Sequence, residues 1–246
     1  MIMYFLGIIK GNTTGIVIEK IQYLYEMIKF RKDKSVRISF TNFWSGFYGS
    51  GAQDFFTSAL KEIPYPEFKL VKYYNPHIQF FSVHGKIKKL KNSKAQVKIF
   101  YTGENVNLNP IYKGNCLNSV DLALGFDYSD DENYFRFPHW LLYFFHPANS
   151  KDDIRNILNN FKQPYQKTKF CSMIANHDNN GIRTKIYNGL SEIAHIDCPS
   201  TFLHNDNSLH KIYNNSKLLY LQQYKFNICP ENSASPGYVT EKLFEA

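Results

Sequence analysis

The chain has 246 residues, a length that exceeds one typical domain and fits two compact ones. Hydrophobic residues make up 43% and aromatic residues 17% of it, which is enough for buried cores and excludes a disordered chain. The formal net charge of +8 is compatible with anionic partners such as nucleotide-sugar phosphates, nucleic acids or acidic membranes, although the dispersed lysines favour a soluble basic surface.

The first part of the chain predicts alternating helices and strands. Apolar residues recur at spacings of three and four within Ile16–Lys29, which predicts an amphipathic helix: Ile18, Ile21, Leu24, Tyr25 and Ile28. Strands are predicted next at Val36–Thr41, Ile78–Val83, Val97–Tyr101 and Leu122–Phe126, with a helix at Phe55–Leu60. The basic run Lys86–Lys91 is expected to be a solvated loop or sheet edge.

The composition turns polar around Ser150–Lys169, which places a domain boundary there. We therefore divide the chain into an unassigned extension 1–35, a domain 36–150, a linker 151–168 and a second domain 169–246. A helix is predicted at Asp152–Phe161, followed by a strand at Phe170–Ile174 and a helix at Arg183–Glu192. Strands that alternate with helices predict parallel sheets, and hence an α/β fold in both halves.

The last stretch of the chain carries the strongest functional signal. The strand-like run Phe226–Cys229 leads through a polar loop to Thr240, which can cap a helix with its hydroxyl. A strand, a loop and a helix start together favour a bound phosphate, because unpaired N–H groups point at the ligand. Lys242 adds a cation, and Tyr238 and Glu241 offer a hydroxyl and a carboxylate to a sugar.

The same stretch resembles a known signature. Phe226, Glu231-Asn232-Ser233 and Tyr238–Leu243 are similar to the donor-nucleotide motif of the α-1,3-fucosyltransferases, glycosyltransferase family 10. Further pieces follow in the family's order from about Val36 to Ala246: Tyr101-Thr102-Gly103-Glu104-Asn105, Leu124-Gly125-Phe126-Asp127, Arg136-Phe137-Pro138, Lys169–Ser172 and Gly181–Thr184.

The resemblance implies a GT-B architecture, an α/β fold of two Rossmann-like domains facing a cleft. The first domain would hold the acceptor and the second the donor. Family members continue past this motif, so the second domain is expected to be incomplete and the chain to be a fragment or a truncated product.

The resemblance also implies the reaction, which is transfer of fucose from GDP-fucose to a hydroxyl of an N-acetylglucosamine-containing glycan. An α-1,3 linkage would form with inversion. Glu104 would be the base that takes the proton from the acceptor hydroxyl. Arg183 and Lys242 would neutralise the diphosphate, and the family pattern adds three donor-binding positions: Asn232, Tyr238 and Glu241. Glu231 is expected to hold the loop by accepting from backbone amides.

Acceptor-side candidates are Trp44, which can stack on a sugar, and Asp127, a supporting carboxylate and a less favoured base. No metal and no cofactor are expected, since GDP-fucose is a substrate. Asp127, Asp130 and Asp131 lack the Asp-x-Asp spacing of metal-dependent glycosyltransferases. His204 and His210 lie six residues apart and not on one helical face, which argues against zinc.

Two alternatives stay open, an inactive truncated module that binds nucleotide or glycan, and a basic nucleic-acid-binding protein. The expected partners are GDP-fucose and a glycan acceptor, without nucleic acid. Peripheral membrane association is expected if a full-length form carries an anchor or a basic tail. The apolar run Met1–Ile9 is about half the length needed to span a bilayer and lacks signal-peptide features. A cytoplasmic or peripheral membrane location is therefore expected, the alternative being the Golgi membrane, as in eukaryotic family members.

Overall fold

The computed structural model describes residues 13–63, 67–160, 162 and 164–246. The run Met1–Ile9 and the predicted helix end Phe161 lie outside the described residues. The chain forms two compact units, the first reaching Leu124 and including Asp130–Phe135, the second comprising Gly125–Ser129 and Arg136–Ala246. The units thus divide between residues 124 and 136, ahead of the linker predicted at 151–168.

The first unit is built on a six-stranded sheet in the order β2-β1-β3-β4-β5-β6, with β1 to β5 paired in parallel. Its strands are β1 (Val36–Thr41), β2 (Phe68–Leu70), β3 (Ile78–Phe81), β4 (Val97–Tyr101), β5 (Leu122–Gly125) and β6 (Tyr134–Arg136). Its helices are α1 (Thr13–Phe30), α2 (Gly51–Lys61) and α3 (Lys88–Lys91), with 3-10 segments at Val106–Leu108 and Lys113–Ser119.

Aromatic side chains fill the core on both faces of this sheet. Phe40 of β1 stacks on Phe80 of β3 with ring centroids 5.0 Å apart. The next residue along β3, Phe81, belongs to a different core cluster, which contains Phe100 of β4. Neighbouring strand residues point to opposite faces of the sheet. Because both faces of this sheet are buried, its strands are continuous apolar runs in the sequence.

The second unit contains a three-stranded parallel sheet in the order β8-β7-β9. Its strands are β7 (Lys169–Met173), β8 (Ile196–Asp197) and β9 (Tyr224–Ile228). Its helices are α4 (Leu141–Phe144), α5 (Lys151–Asn160), α6 (Ile182–Ser191), α7 (Ser208–Lys211), α8 (Lys217–Leu221) and α9 (Glu241–Glu245). The segments that follow β7 and β9 leave the carboxyl edge of this sheet, where parallel α/β proteins bind ligands.

The predicted α/β fold is confirmed, and the predicted strands lie within about two residues of those observed, as expected for element ends. The lysines of Lys86–Lys91 are exposed as expected, but the expected loop or sheet edge is wrong, because Lys88–Lys91 forms the short helix α3. Leu90, only 1% exposed, packs into the core cluster of Phe81 and Phe100. The helix thus buries this one apolar side chain and leaves the lysines around it in solvent.

Candidate active site

A cleft of about 390 Å³ lies at the carboxyl ends of β7 and β9, within the size range of small-ligand sites. Its lining includes Ile174–His177 after β7 and Cys229 after β9. Four of the five predicted donor-binding side chains line it as well: Arg183, Asn232, Glu241 and Lys242. Residues almost 60 positions apart in the sequence therefore meet in one cleft, which belongs entirely to the second unit.

Arg183 lies in the first turn of α6 and is only 4% exposed. Its Nη2 donates to Asn232 Oδ1 at 2.8 Å and to the Pro230 carbonyl at 3.2 Å, and its Nη1 donates to the His177 carbonyl. Three N–H groups of the guanidinium are thus engaged with the protein, out of the five it carries. Arg183 joins the segment after β7 to the segment after β9, and it orients Asn232.

The start of α6 already holds a carboxylate of the chain. Asp178 accepts from the backbone N–H of Arg183 at 3.2 Å, and from the N–H and hydroxyl of Thr184 at 2.9 and 2.7 Å. Desolvation raises the pKa of Asp178, but hydrogen bonds from Thr184 and Arg183 outweigh it and lower the pKa overall. Sequence reasoning missed Asp178, although an acidic residue just ahead of a helix is a known capping signal.

We define the donor loop as residues 229–240, between β9 and α9. Within it, Glu231 Oε1 accepts from the backbone N–H of Thr240 at 2.7 Å and from its hydroxyl at 2.9 Å. The structural role expected for Glu231 is therefore confirmed. The capping bond predicted for Thr240 is wrong, because its hydroxyl makes no side-chain capping bond to α9. That hydroxyl instead donates to the carboxylate of Glu231 and accepts from the ammonium of Lys242.

Lys242 holds its ammonium between two carboxylates. Its Nζ lies 2.9 Å from Thr240 Oγ1, 3.3 Å from Glu241 Oε1 and 3.4 Å from Glu231 Oε2. Desolvation raises the pKa of Glu241, but the charge of Lys242 and other lowering contributions outweigh it, so its pKa lies below the ordinary value. The cleft therefore contains a partly buried cation whose charge is already opposed by ionised side chains.

Tyr238 lies apart from the other donor candidates. It is 7% exposed and packs edge-on against Phe126 at a ring distance of 4.8 Å. With Asn180 and Ile182 it borders a separate shallow depression. Gly237, at φ 79°, shows how tightly the loop packs here, since a Cβ on it would lie 2.8 Å from the Phe126 carbonyl.

Arg136 secures the same end of the donor loop. Its Nε donates to the Phe126 carbonyl at 3.1 Å, its Nη2 lies 3.4 Å from the Gly237 carbonyl, and its guanidinium lies 4.7 Å from the centre of the Tyr128 ring. The sequence places Arg136 in a family motif without a role. The structure gives it the role of fixing the backbone beside Tyr238.

The catalytic candidate Glu104 lies in the first unit, in the turn after β4. Its backbone N–H donates to the hydroxyl of the buried Thr102 at 2.9 Å, which fixes the turn, while the Glu104 side chain is exposed. Trp44 follows β1, half-buried, with its ring 5.0 Å from Phe47 and 6.1 Å from His84. The parallel strands β1, β3 and β4 are neighbours, so Trp44, His84 and Glu104 all follow strand ends at one sheet edge.

Asp127 is half-buried and belongs to the second unit, although the sequence assigns it to the acceptor-side domain. Within the part of the chain that the structure describes, no three His, Cys, Asp or Glu side chains form a group suited to a metal ion. The expectation of a metal-free site stays a prediction.

Two family models match successive parts of the chain. Residues 38–143 match the α-(1,3)-fucosyltransferase FucT N-terminal domain, and residues 163–246 match the C-terminal part of glycosyltransferase family 10 (fucosyltransferase). The chain belongs to glycosyltransferase family 10. The two matched ranges together contain Trp44, Glu104, Asp127 and all five donor-binding candidates.

The α-(1,3)-fucosyltransferase FucT of Helicobacter pylori is 26% identical over 254 residues, covering 90% of this chain and 50% of that protein. The chain thus spans about half the length of this relative. A crystal structure of an α1,3-fucosyltransferase is similar at 24% identity and a TM-score of 0.59, covering 87% of this chain and 66% of that one. A second, with GDP-fucose, is 22% identical with a TM-score of 0.51, covering 86% and 65%. These similarities confirm the predicted GT-B type of fold.

Proposed function

We propose that this protein is an inverting glycosyltransferase that moves fucose from GDP-fucose to a hydroxyl of an N-acetylglucosamine-containing glycan, forming an α-1,3 linkage. The proposal rests on the cleft of the second unit and on the chain's membership of family 10. There the family's donor positions Arg183, Asn232, Glu241 and Lys242 lie side by side. The Helicobacter pylori relative is named as an α-(1,3)-fucosyltransferase.

In the proposed mechanism Lys242 binds the diphosphate of GDP. An incoming diphosphate competes with Glu231 and Glu241 for the ammonium, which lies 3.4 and 3.3 Å from them. Negative charge builds on the diphosphate as the bond to fucose breaks, so a cation beside it stabilises the transition state more than the ground state. Glu241, a carboxylate in the lining of the cleft, accepts from sugar hydroxyls.

Arg183 has a mixed role in this mechanism. Three of its N–H groups hold Asn232 and the backbone on both sides of the cleft. The remaining N–H groups are the ones proposed to contact the diphosphate. Tyr238, whose ring packs on Phe126, is proposed to shape the donor loop and to offer its hydroxyl to the nucleotide sugar.

Glu104 is proposed as the general base. Its exposed carboxylate follows β4 in a turn fixed by Thr102. In-line attack with inversion requires one base, which removes the acceptor proton as the hydroxyl attacks the anomeric carbon. Trp44 and Asp127 are proposed to support acceptor binding, the first by stacking on a sugar ring. Neither a metal nor a cofactor is part of this mechanism.

A nucleotide-binding module without transfer activity is the second candidate. The observation that favours it is that the cleft is lined entirely by the second unit, whereas Glu104 lies in the first. Nucleotide binding is therefore separable from transfer.

One experiment tests both candidates. The protein is incubated with N-acetyllactosamine and one donor in each of four parallel reactions: GDP-fucose, GDP-mannose, UDP-galactose or UDP-glucose. The masses of the products are measured by mass spectrometry. A deoxyhexose added from GDP-fucose alone supports the transferase. GDP binding without any transfer supports the binding module, and transfer of a hexose from a UDP donor contradicts the proposal.

A further inference from the structure

Helix α1 carries its apolar stripe on the outside of the protein. The five apolar residues whose spacing predicts this helix are exposed, from 44% at Ile21 to 73% at Ile28. We define the α1 stripe as these residues: Ile18, Ile21, Leu24, Tyr25 and Ile28. At 3.6 residues per turn they share one side of the helix. A surface helix normally turns such a stripe towards the core. The exposed stripe therefore raises two questions: what holds the helix in this orientation, and what the stripe binds.

The cause lies on the opposite side of the helix. Glu26 is 4% exposed, and its carboxylate accepts three consecutive backbone N–H groups, those of Lys72, Tyr73 and Tyr74, each at 2.9 Å. Gln22, one turn earlier, donates to the same carboxylate at 3.0 Å. Successive backbone amides of this kind form a cradle for an anion, and here the chain's own Glu26 fills it.

This contact fixes the rotation of α1. Phe30, 6% exposed, is buried on the same side as Glu26, and the Tyr23 ring lies 5.4 Å from that of Tyr74. Turning the stripe inward would break the bonds of a buried carboxylate and leave three amides unpaired, which is strongly unfavourable. The outward stripe is therefore a fixed feature of the first unit rather than one of several equal orientations.

The charges around the stripe indicate what it contacts. Lys20 and Lys29 border the stripe on its two sides, and three further exposed cations follow the helix, Arg31, Lys32 and Lys34. Most carboxylates of this segment are buried or paired with a cation. Glu26 is buried, and Asp33 pairs with Lys69 at 2.7 Å, which leaves Glu19 as the exposed acid between Ile18 and Lys34. An apolar stripe with basic borders is complementary to an anionic lipid surface.

We propose that α1 is an interfacial helix that docks the first unit onto an anionic membrane, with the α1 stripe in the lipid and Lys20, Lys29 and Arg31 at the headgroups. The helix lies in the plane of the membrane. No helix among the described residues is long and apolar enough to cross one. This role is separate from the proposed transfer reaction and does not depend on it.

The test is co-sedimentation of the purified protein with vesicles of phosphatidylcholine alone, or with roughly one-third phosphatidylglycerol. We expect binding to the anionic vesicles, weakened by salt, and little binding to the neutral ones. The triple substitution Ile21→Ser, Leu24→Ser and Ile28→Ser should reduce binding at least tenfold, since three apolar side chains no longer enter the lipid. Lys29→Glu with Arg31→Glu should reduce it several-fold.

A control variant replaces two strongly exposed apolar residues of the second unit, Ile193→Ser and Ile212→Ser, which are 77% and 69% exposed. This variant should bind vesicles as the wild type does. All substituted side chains are exposed, so circular dichroism and GDP binding should be unchanged in every variant.

Three outcomes would overturn the proposal. They are no binding to anionic vesicles, equal binding to neutral ones, and binding that the stripe variant retains. A dimer that the stripe variant dissociates, seen by light scattering without vesicle binding, would assign the stripe to a second copy of the chain instead.

Discussion

The carboxylates of the donor loop and of the Glu104 turn differ in their contacts with the protein. In the donor loop Glu231 accepts from Thr240 and lies 3.4 Å from the ammonium of Lys242, so its charge holds the loop together. In the turn after β4, the backbone is fixed by Thr102 while the carboxylate of Glu104 is exposed. The engaged carboxylate of Glu231 supports structure, whereas the exposed carboxylate of Glu104, at the carboxyl edge of a parallel sheet, is available to a substrate.

The largest effect is expected at the exposed carboxylate. Glu104→Gln keeps the shape of the side chain and removes its basicity, so fucose transfer should fall roughly 100-fold or more, the usual scale for a general base. GDP affinity and the free energy of unfolding should stay at the wild-type level. The measurement is the rate of fucose transfer at saturating substrate, with Glu132→Gln, an exposed acid of the same unit, as the control. Wild-type transfer by Glu104→Gln would exclude Glu104 as the base.

The next largest effect is expected at Arg183. Arg183→Ala leaves the acceptors on Asn232, Pro230 and His177 unpaired, so the free energy of unfolding should fall by about 3 kcal/mol. GDP should bind about tenfold more weakly or worse, which corresponds to 1.4 kcal/mol or more. Urea denaturation and calorimetry measure the two effects.

The control for Arg183 is Arg155→Ala, which removes an exposed partner of Asp152 in the same unit and should change either quantity little. If Arg183→Ala unfolds the second unit, Arg183→Lys keeps the charge and supplies the second variant. Wild-type GDP affinity in Arg183→Lys and Arg183→Ala alike would remove Arg183 from the donor site.

Lys242→Ala should weaken GDP binding about tenfold with a smaller change in stability than Arg183→Ala, because Lys242 is less buried. The difference between the two substitutions separates a residue that contacts ligand from one that also supports the cleft. Lys185→Ala, an exposed cation on α6, is the control for calorimetry. Equal GDP affinities in the Lys242 and Lys185 variants would place the diphosphate away from Lys242.

A moderate effect of pH is expected from Glu241. Its pKa is lowered from the ordinary 4.5 in the folded protein, so its contribution to stability is complete above about pH 4.5. That contribution is lost as the pH falls through the lowered pKa. The free energy of unfolding should therefore decrease on acidification, and Glu241→Gln should make this decrease shallower. A Glu241→Gln slope equal to that of the wild type would contradict the expectation.

The smallest effect is expected from metal removal. If Lys242 and Arg183 neutralise the diphosphate, EDTA should leave GDP affinity and fucose transfer unchanged. A strong loss of either in EDTA, restored by added Mn²⁺ or Mg²⁺, would show that a divalent ion carries this charge.

The sequence predicts which residues form the strands and the candidate site better than it predicts which residues contact one another. The strands and the family motifs follow from periodicity and residue order, which are local properties, so β1 and β4 have their predicted bounds. The partners of Arg183 lie up to 49 positions away. The error at Thr240 also concerns partners, because its hydroxyl donates to the carboxylate of Glu231 and accepts from the ammonium of Lys242 instead of from a helix amide.

The exposed stripe of α1 illustrates the same limit. Its spacing predicts a helix correctly, but the side that faces the protein is decided by Glu26 and the amides of Lys72–Tyr74, about 46 residues later in the chain. Periodicity identifies an apolar face and does not say what covers it. The bonds from Asp178 to the first amides of α6 do not follow from the usual capping pattern, because Asp178 lies three residues before the N-cap position Gly181.

A crystal structure of this protein with GDP would locate the bound diphosphate directly. We expect the diphosphate in the cleft of the second unit, within hydrogen-bonding distance of Lys242 Nζ, with the contacts between Arg183 and Asn232 retained. A nucleotide bound outside the cleft lined by Arg183, Asn232, Glu241 and Lys242 would contradict this expectation.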